Sequence, residues 1–497
     1  MNKLKEIFKS WNIALNPDEQ QVELASKRLE ICNSCEYKVD TLGINQCSVC
    51  GCALKAKVFS PIKGACPEGK WNEIDNVMIN QKIFVQLASY RDPQLVPTIR
   101  DMLLKADNPQ NLQFGICWQK DDTESLEEFA DHPQVRYQTF SYTESEGLGW
   151  ARSKVTELWD SEPYTLQLDS HHRFAKGWDT MMLEDYEQAL TMSKKPIIST
   201  YLTPFNVEQF DKDENNLEQI PSLMSQYEFS SDRLLMSMPW YIQDWKERNT
   251  VIKARTISGH FFFVKSEFLK EVPYDPDIYF GGYTEETTMS VRAWTNGYDF
   301  FSPYKPYIWH EYTRQGRPKH WEDHGKESET KKTSGERDIY ARKKTRQIFE
   351  QEDNNINLGI YGLGNVRTLH EYEVFCGFDF KNNRIADYTL KVNEPPNSIP
   401  WEESFISNEY DLTLKWDLGF FKNHNFRKPK FLTLGVLSKS DTELHRHDFV
   451  IEKHPQYVNL ENNSYTVNIR SIDKPSKIVM YLFDDDQGWS NRYEKLI

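Results

Sequence analysis

The sequence predicts an α/β protein whose central domain carries a mostly parallel sheet, and three observations support this fold class. From Lys82 onward, apolar segments of strand length alternate with amphipathic helical segments, as in a parallel sheet covered by helices. Six of the eight cysteines precede residue 70, which indicates a separate small module. After residue 386, short alternating segments are punctuated by Asn, Pro and Asp, a pattern typical of a β-rich domain.

The length of 497 residues exceeds what one compact core organises, so we predict three units. These are a helical N-terminus with a cysteine-rich zinc ribbon over residues 1–76, the central domain over 80–385, and a β-rich accessory domain over 386–497. A hydrophobic share of 38% is enough to bury real cores.

The charge and hydropathy of the chain disfavour two classes of partner. A net charge of −15 opposes non-specific binding to nucleic acid or anionic lipid. A local basic patch nevertheless keeps nucleic acid among the candidate partners. No apolar run reaches the length of a membrane span, and the N-terminus lacks a signal-peptide core. We therefore expect a cytoplasmic protein without a membrane partner.

The N-terminal cysteines have the spacing of a zinc ribbon. Two Cys-x-x-Cys pairs, Cys32/Cys35 and Cys47/Cys50, are separated by eleven residues. So short a segment buries little apolar surface, and a structural Zn²⁺ would contribute the missing folding energy. A disulfide framework is the alternative. We favour Cys32, Cys35 and Cys50 with either Cys47 or Cys66, but all six remain candidates for the four positions: Cys32, Cys35, Cys47, Cys50, Cys52 and Cys66.

Five segments of the central domain read as buried strands, and two of them end in polar residues. Ligands of open parallel sheets bind outside the carboxyl ends of the strands, so these polar endings are candidate site residues. The predicted strands are Ile83–Tyr90, Leu112–Trp118, Tyr164–Leu168, Pro196–Thr200 and His260–Val264.

Asp169 and His171 follow one of these strands directly. Residues two apart in an extended chain point to the same side. A carboxylate and a neutral imidazole together make half of a coordination sphere suited to a divalent cation such as Mn²⁺. The alternative is a helix cap or turn aspartate.

Several segments, in order along the chain, resemble one known family, the cytoplasmic protein-hydroxyproline N-acetylglucosaminyltransferases, whose relatives also occur in bacteria and their viruses. The resemblance covers about residues 82–380. The segments are Ile83–Pro97, Asn111–Gln119, Gly149–Ser153, Gln167–Trp178, Gly259–Phe263, Tyr279–Asp299, His310 and Leu358–Phe378.

The resemblance implies a GT-A catalytic domain, a UDP-sugar donor, Mn²⁺ or Mg²⁺, and transfer with retention at the anomeric carbon. UDP-GlcNAc is the best-known donor of the family. The family's Asp-Ser-His corresponds to Asp169, Ser170 and His171, and the later histidine expected as third metal ligand corresponds to His310. Without the resemblance, His310 would read as a core histidine.

The resemblance also assigns donor-binding residues. In this fold, Ser89, Tyr90 and Arg91 at the end of the first strand would contact the uridine, through ring stacking and through hydrogen bonds from the guanidinium group. Arg152 corresponds to the arginine that the family places near the donor. As a bare residue it would read as a helix-surface arginine.

Glu285 and Glu286 are the remaining catalytic candidates, and the resemblance supports a place beside the acceptor or the donor hydroxyls. The alternative is N-terminal helix charge that favours the helix dipole. No residue stands out as a nucleophile, so none is assigned.

Two hypotheses follow for the function. The first is an enzyme that transfers a sugar, GlcNAc by resemblance, from UDP to a hydroxyl of a protein, a glycan or a modified nucleobase, in a bacterial cell or a virus-infected host cell. The alternative is an inactive transferase fold that acts as a carbohydrate-binding or virion structural protein. Asp169, His171 and His310 are all present, which argues against the alternative.

Overall fold

The structure is a computed structural model, and it describes most of the chain. The described residues are 3–17, 19–41, 43–62, 64–72, 74, 81–213, 217–279, 282–313, 317–326, 332–405, 408–416, 428–458, 463–471 and 473–497.

The described part of the N-terminal module contains helices and a hairpin around a small core. Arg28 closes this core, because its buried guanidinium donates to the carbonyl of Val58 (3.0 Å) and lies 4.7 Å from the centre of the Trp71 ring. The helices are Lys3–Leu15, Glu19–Asn33 and Leu54–Lys57, and the strands are β1 (Lys38–Thr41) and β2 (Ile44–Cys47).

An eight-stranded sheet in the order β12-β14-β8-β13-β6-β3-β4-β5 forms the centre of the protein. Strands β6, β3, β4 and β5 are parallel to one another, as are β8 and β14. Its strands are β3 (Ile83–Tyr90), β4 (Leu112–Lys120), β5 (Val135–Ser141), β6 (Tyr164–Leu168), β8 (Pro196–Ser199), β12 (Ile252–Ala254), β13 (Phe261–Lys265) and β14 (Asp299–Ser302).

Helices cover the sheet on both faces, and each face has its own apolar core. One core contains Ile99 and Met182, and the other contains Val155, Val291 and Cys376. The helices are Leu95–Lys105, Leu148–Thr156, Trp178–Leu190, Val207–Lys212, Phe268–Glu271, Gly282–Thr295, His320–Asp323, Ser334–Ile348, Leu369–Cys376 and Asp387–Leu390. Among the helices that the structure describes, none is both long enough and apolar enough for a bilayer.

Two small sheets lie beside the large one and border the candidate site. The first has the order β7-β15-β9 and the second is a hairpin of β10 and β11. Their strands are β7 (His172–Phe174), β9 (Thr203–Pro204), β10 (Ser222–Phe229), β11 (Leu235–Tyr241) and β15 (Ile308–His310).

Short strands β16 and β17 form a hairpin, and the described chain from residue 408 onward is almost entirely strand. Strands β18 and β21 form one sheet, β19, β20, β22, β23 and β24 form another, and the two share one core that contains Leu414 and Leu434. The strands are β16 (Phe378–Asp379), β17 (Arg384–Ile385), β18 (Asn408–Trp416), β19 (Pro429–Ser438), β20 (Glu443–Val450), β21 (Asn463–Ser471), β22 (Pro475–Asp484), β23 (Gly488–Trp489) and β24 (Tyr493–Leu496).

The structure confirms an α/β domain with a sheet rich in parallel strands, in which β12 is antiparallel to β14. Strand β13 runs antiparallel to both of its neighbours, β6 and β8. The strand begins at Phe261 rather than at His260, because His260 lies in a turn that the backbone bridge between Ser258 and Phe261 closes.

Candidate active site

The end of β6 brings Asp169, His171 and His310 together. Asp169 follows the last residue of β6, and His310 on β15 is paired with His172 on β7. Asp169 Oδ2 lies 3.5 Å from His310 Nε2 and 3.7 Å from His171 Nε2. In the described part of the chain, only these three His, Cys, Asp or Glu side chains place their ligand atoms within 4.8 Å of one another.

The two histidines have the properties of metal ligands. His171 Nε2 and both ring nitrogens of His310 are buried and have no hydrogen-bond partner among the described residues. Such atoms cost free energy unless something satisfies them. Burial, with a contribution from His260, holds the pKa of His310 well below its usual range. The imidazole is therefore neutral, as coordination requires, and the set of one carboxylate and two imidazoles fits a divalent cation.

Asp92 fixes the orientation of the His171 ring by binding its Nδ1 atom. Its Oδ2 accepts hydrogen bonds from His171 Nδ1, Ser170 Oγ and Arg317 Nη1, each at 2.7 Å. With Nδ1 bonded to Asp92, the Nε2 lone pair faces Asp169. Burial alone would raise the pKa of Asp92, but His171 and Arg317 lower it to about 2.

Replacing Asp92 with Asn is expected to weaken Mn²⁺ binding roughly 10–100-fold, because the second partner of a ligating imidazole fixes its orientation and basicity. Titration of Mn²⁺ followed by electron paramagnetic resonance measures this affinity. Asp101→Asn is the matched control, since the Asp101 carboxylate accepts from Phe174 N and touches none of the three ligands. Equal affinities for the Asp92 and Asp101 variants would contradict the assignment.

Arg152 lies between two carboxylates in the interior of the site. Its Nη2 donates to Asp169 Oδ1 at 3.0 Å and its Nη1 contacts Glu285 Oε1, while the side chain is only 2% exposed. Burial disfavours the cation, yet Glu285 and Asp169 raise the pKa of Arg152 above its usual value. The pKa of Asp169 is correspondingly low: burial opposes this, but His310 and Arg152 outweigh it. Asp169 is therefore ionised, with Oδ1 bound to Arg152 and Oδ2 free to face a cation.

Glu286 follows Glu285 in the helix Gly282–Thr295 and contacts Gly259 and Tyr201. Its Oε1 accepts from the backbone N–H of Gly259 (3.0 Å), and its Oε2 accepts from the hydroxyl of Tyr201 (2.8 Å). The carboxyl group is fully enclosed, and this burial raises its pKa to about 8. Glu286 is thus a buried acid that titrates near neutral pH.

The raised pKa of Glu286 predicts a pH dependence of stability. Because the folded state holds this proton more tightly than the unfolded chain, the stabilisation is complete below pH 4.5 and is lost as the pH rises to about 8. The expected slope approaches about 1.4 kcal/mol per pH unit. Urea unfolding from about pH 5 to about pH 9 measures it. Glu286→Gln should reduce the slope and leave the share of Asp185, whose pKa burial raises to about 7, and exposed Glu247→Gln should retain the full slope. Identical slopes in the wild type and Glu286→Gln would contradict this interpretation.

Aromatic rings close the wall next to His310. The His260 ring stacks on it at 4.4 Å, and the Tyr312 ring meets it edge-on at 4.2 Å. The Tyr312 hydroxyl donates to the carbonyl of Leu202 at 2.7 Å, which fixes this ring.

The residues predicted to contact the uridine are only partly on the surface. Tyr90 donates to Asp323 at 2.6 Å, and Arg91 bonds both Asp323 and Asp121 at 3.0 Å. Arg91 has a φ of 46°, a left-handed conformation that is uncommon for a non-glycine residue and is often found at functional sites. Ser89, in contrast, is fully buried, so it does not line the surface with Tyr90 and Arg91.

Sequence reasoning placed some residues differently and missed others. Ser170, expected near the donor, points instead at Asp92. Asp92 could have been found, since it follows the polar ending of β3 just as Asp169 follows β6. Arg317 had no such signal, because it reaches Asp92 across 225 positions of sequence. His260 was not predicted as a site residue, and its position just before a strand is the only feature of the sequence that could have indicated it.

Comparison with known proteins agrees with this geometry. The sequence matches the profile of the family described as Glycosyltransferase (GlcNAc) over residues 82–132 and 123–382, more than half of the chain. No curated protein sequence matches it.

Solved structures resemble the fold at low similarity. GalNAc-T7 with UDP, GalNAc and Mn²⁺ is 16% identical with a TM-score of 0.39, over 59% of this chain and 54% of that chain. TarS 1-349 of S. aureus in complex with UDP-GlcNAc is 15% identical with a TM-score of 0.30, over 48% and 60%. The chain thus spans between about half and three fifths of the length of these relatives.

The profile match confirms the predicted resemblance at the level of the family. The hydroxyproline-type subfamily and the bacterial or viral source stay predictions. The chain belongs to the Glycosyltransferase (GlcNAc) family.

Proposed function

We propose that the protein is a divalent-metal-dependent glycosyltransferase that moves GlcNAc from UDP-GlcNAc to an acceptor hydroxyl with retention at the anomeric carbon. One observation carries this proposal: Asp169, His171 and His310 converge within 4.8 Å at the end of β6. The buried ring nitrogens of this group have no partner among the described residues. The family match supports GlcNAc as the sugar.

Asp169 Oδ2, His171 Nε2 and His310 Nε2 are the atoms that would hold Mn²⁺ or Mg²⁺. When bound, the cation neutralises charge that develops on the departing diphosphate. Asp92 and Arg152 keep the ligands in position, since they bind the atoms of His171 and Asp169 that face away from the cation.

Tyr90 and Arg91 are assigned to the uridine end of the donor. Both belong to the carboxyl end of β3, which neighbours β6 in the sheet. Their present partner, Asp323, would exchange for donor atoms on binding, because a carboxylate and a phosphate or carbonyl oxygen compete for the same guanidinium donors.

Glu286 is assigned to the acceptor side. Transfer breaks the bond between the anomeric carbon and the UDP oxygen, and it forms a bond from that carbon to the acceptor oxygen. The acceptor proton must leave, and the ionised form of Glu286, which predominates above a pH of about 8, is suited to take it up, directly or through the Tyr201 hydroxyl. Glu285 holds Arg152 instead, so its contribution is to position Asp169.

The alternative is an inactive transferase fold that binds carbohydrate. It predicts that no UDP-sugar is turned over, so an activity measurement separates the two proposals. Purified protein is incubated with a panel of UDP-sugars in the presence of Mn²⁺, and release of UDP is measured with and without acceptor candidates. We expect UDP release from UDP-GlcNAc above that from the other donors. Binding and turnover of no UDP-sugar would contradict the enzyme proposal.

We also propose that the N-terminal module binds one structural Zn²⁺. Five of the six candidate cysteines line one cavity beside Trp71, whereas Cys52 does not. The pKa of Cys32 is raised to about 11, first by burial and then by Cys66, Cys35 and Cys47, whose thiols lie near it.

Replacing Cys32 with Ser is expected to abolish zinc binding and to unfold the module, because an ion held by thiolates supplies folding energy to so small a core. Zinc content per chain, measured by mass spectrometry after purification without chelators, tests this. Cys52→Ser and buried Cys117→Ser should keep their zinc. Wild-type protein without zinc, or equal loss in Cys117→Ser, would contradict the proposal.

A further inference from the structure

The short helix His320–Asp323 places a carboxylate on the two residues assigned to the uridine end of the donor. Asp323 Oδ2 accepts hydrogen bonds from the Tyr90 hydroxyl at 2.6 Å and from Arg91 Nη1 at 3.0 Å. The side chains of Arg91 and Asp323 are 21% and 22% exposed, so this contact lies at the surface of the protein, where a ligand can reach it. A carboxylate of the chain itself therefore occupies the groups that a donor would use.

The charges around Arg91 oppose an anionic ligand while Asp323 is in place. Asp121 Oδ2 accepts from Arg91 Nε at 3.2 Å and from Arg91 Nη2 at 3.0 Å, so two carboxylates share one guanidinium group. Burial opposes the charge of Arg91, but Asp323 and Asp121 raise the pKa of its guanidinium group above the ordinary value. One positive charge thus faces two negative ones, and a nucleoside diphosphate is itself an anion. Because like charges repel at this range, one carboxylate must withdraw before such a ligand binds well.

Asp323 is the carboxylate that can withdraw. Asp121 is fixed in the turn after β4, because its Oδ1 accepts from the backbone N–H of Thr123 at 2.8 Å while its Oδ2 binds Arg91. Asp323, in contrast, uses one oxygen for both of its hydrogen bonds, and it is the last residue of a helix of four residues. Rotation of the Asp323 side chain therefore releases Tyr90 and Arg91 together.

The backbone that carries Asp323 is anchored by His320, the first residue of the same helix. The His320 ring is buried, with Nδ1 2.7 Å from the Tyr279 hydroxyl and Nε2 2.9 Å from Ser145 Oγ. Both ring nitrogens are thus bonded to residues outside the helix. The helix therefore keeps Asp323 close to Arg91, and the carboxylate is placed to return when a ligand leaves.

We propose that Asp323 makes an autoinhibitory contact: it is an internal competitor that occupies Tyr90 and Arg91 whenever no donor is bound. This inference rests on the proposed function, which assigns both residues to the uridine end of the donor. A ligand that uses them binds only the fraction of molecules in which Asp323 has withdrawn, so its apparent affinity is reduced by that fraction. The same factor applies to the donor and to the product UDP, so the contact also weakens retention of UDP after transfer.

Calorimetric titration of UDP into the full chain, at saturating Mn²⁺, tests this contact without any turnover. Asp323→Ala removes the competing carboxylate. Asp122→Ala is the matched control, because Asp122 is exposed and adjacent to Asp121 in the sequence, so its variant removes one negative charge from the same region. The affinity for Mn²⁺ alone, measured by electron paramagnetic resonance, reports on the metal group separately.

We expect Asp323→Ala to bind UDP roughly tenfold more tightly than the wild type, equivalent to about 1.4 kcal/mol, with an unchanged affinity for Mn²⁺ alone. Asp122→Ala should bind UDP within about twofold of the wild type, because solvent and salt screen an exposed charge. Weaker or unchanged UDP binding by Asp323→Ala would overturn the inference, since Asp323 would then orient Arg91 for the donor instead of competing with it. An equal gain in Asp122→Ala would also overturn it, since any lost negative charge would then suffice.

A second variant, Asp323→Asn, keeps the shape of the side chain and so guards against misfolding of the first. Its amide oxygen is a weaker, neutral acceptor for Tyr90 and Arg91, so its gain in UDP affinity should lie between the wild type and Asp323→Ala. Weaker binding of UDP by Asp323→Asn than by the wild type would overturn the inference. A failure of the proposed function gives a different result, because UDP would then bind to no variant and not to the wild type, with or without Mn²⁺.

Discussion

Asp169→Asn is expected to lower kcat/KM for sugar transfer roughly 10³-fold, the kinetic equivalent of about 4 kcal/mol of lost transition-state stabilisation. The substitution keeps the size of the side chain but removes the charge that faces His171 and His310. It also weakens the ion pair with Arg152. Initial rates of UDP release at UDP-GlcNAc concentrations below KM, with saturating Mn²⁺, measure the effect.

The matched control for this charge removal is Asp160→Asn. Asp160 belongs to the same domain, but its side chain is 86% exposed. Its variant should retain wild-type rates, since exposed ion pairs contribute little. If Asp169→Asn kept its activity within tenfold of the wild type, the three-residue group would not be the metal site.

Arg152→Met is expected to destabilise the central domain by roughly 3–5 kcal/mol, because it leaves Asp169 and Glu285 as buried carboxylates without a compensating cation. Both carboxylates contact the guanidinium group in the folded protein. Hydrogen exchange of the amides in β6 and in the helix Gly282–Thr295 measures the opening free energy of this domain alone.

Two further variants identify the cause of that loss. Arg100→Met removes an arginine that is 49% exposed and pairs with Glu128 at the surface, so it should cost less than about 1 kcal/mol. Arg152→Met combined with Glu285→Gln should recover part of the loss, since one of the two stranded charges is then gone. An additive double variant would show that the three side chains do not form one network.

The sequence predicted the strands at the centre of the sheet well, for a physical reason. Strands β3 and β6 have the predicted bounds Ile83–Tyr90 and Tyr164–Leu168, because a strand covered on both faces is a nearly continuous apolar run that ends where polar residues begin. The same reasoning placed Asp169 and His171 at one edge. His310 needed the family resemblance, since its alignment with His172 across two short strands leaves no local pattern.

Other features of the site depend on tertiary contacts that no local pattern encodes. Arg152 could have been an ordinary surface residue of its helix, and only the approach of Glu285 shows that it is buried. Ser170 was expected to face the donor, but buried Asp92 offers its hydroxyl a stronger partner.

Metal-dependent binding of UDP tests the central claim most directly. UDP is titrated calorimetrically into chelator-treated protein, into the same protein reloaded with Mn²⁺, and into a variant that carries His171→Ala and His310→Ala. The account predicts that Mn²⁺ tightens UDP binding at least roughly tenfold in the wild type and has no effect in the variant. Equal affinity for UDP with and without Mn²⁺ in the wild type, or an equal gain in the variant, would contradict it.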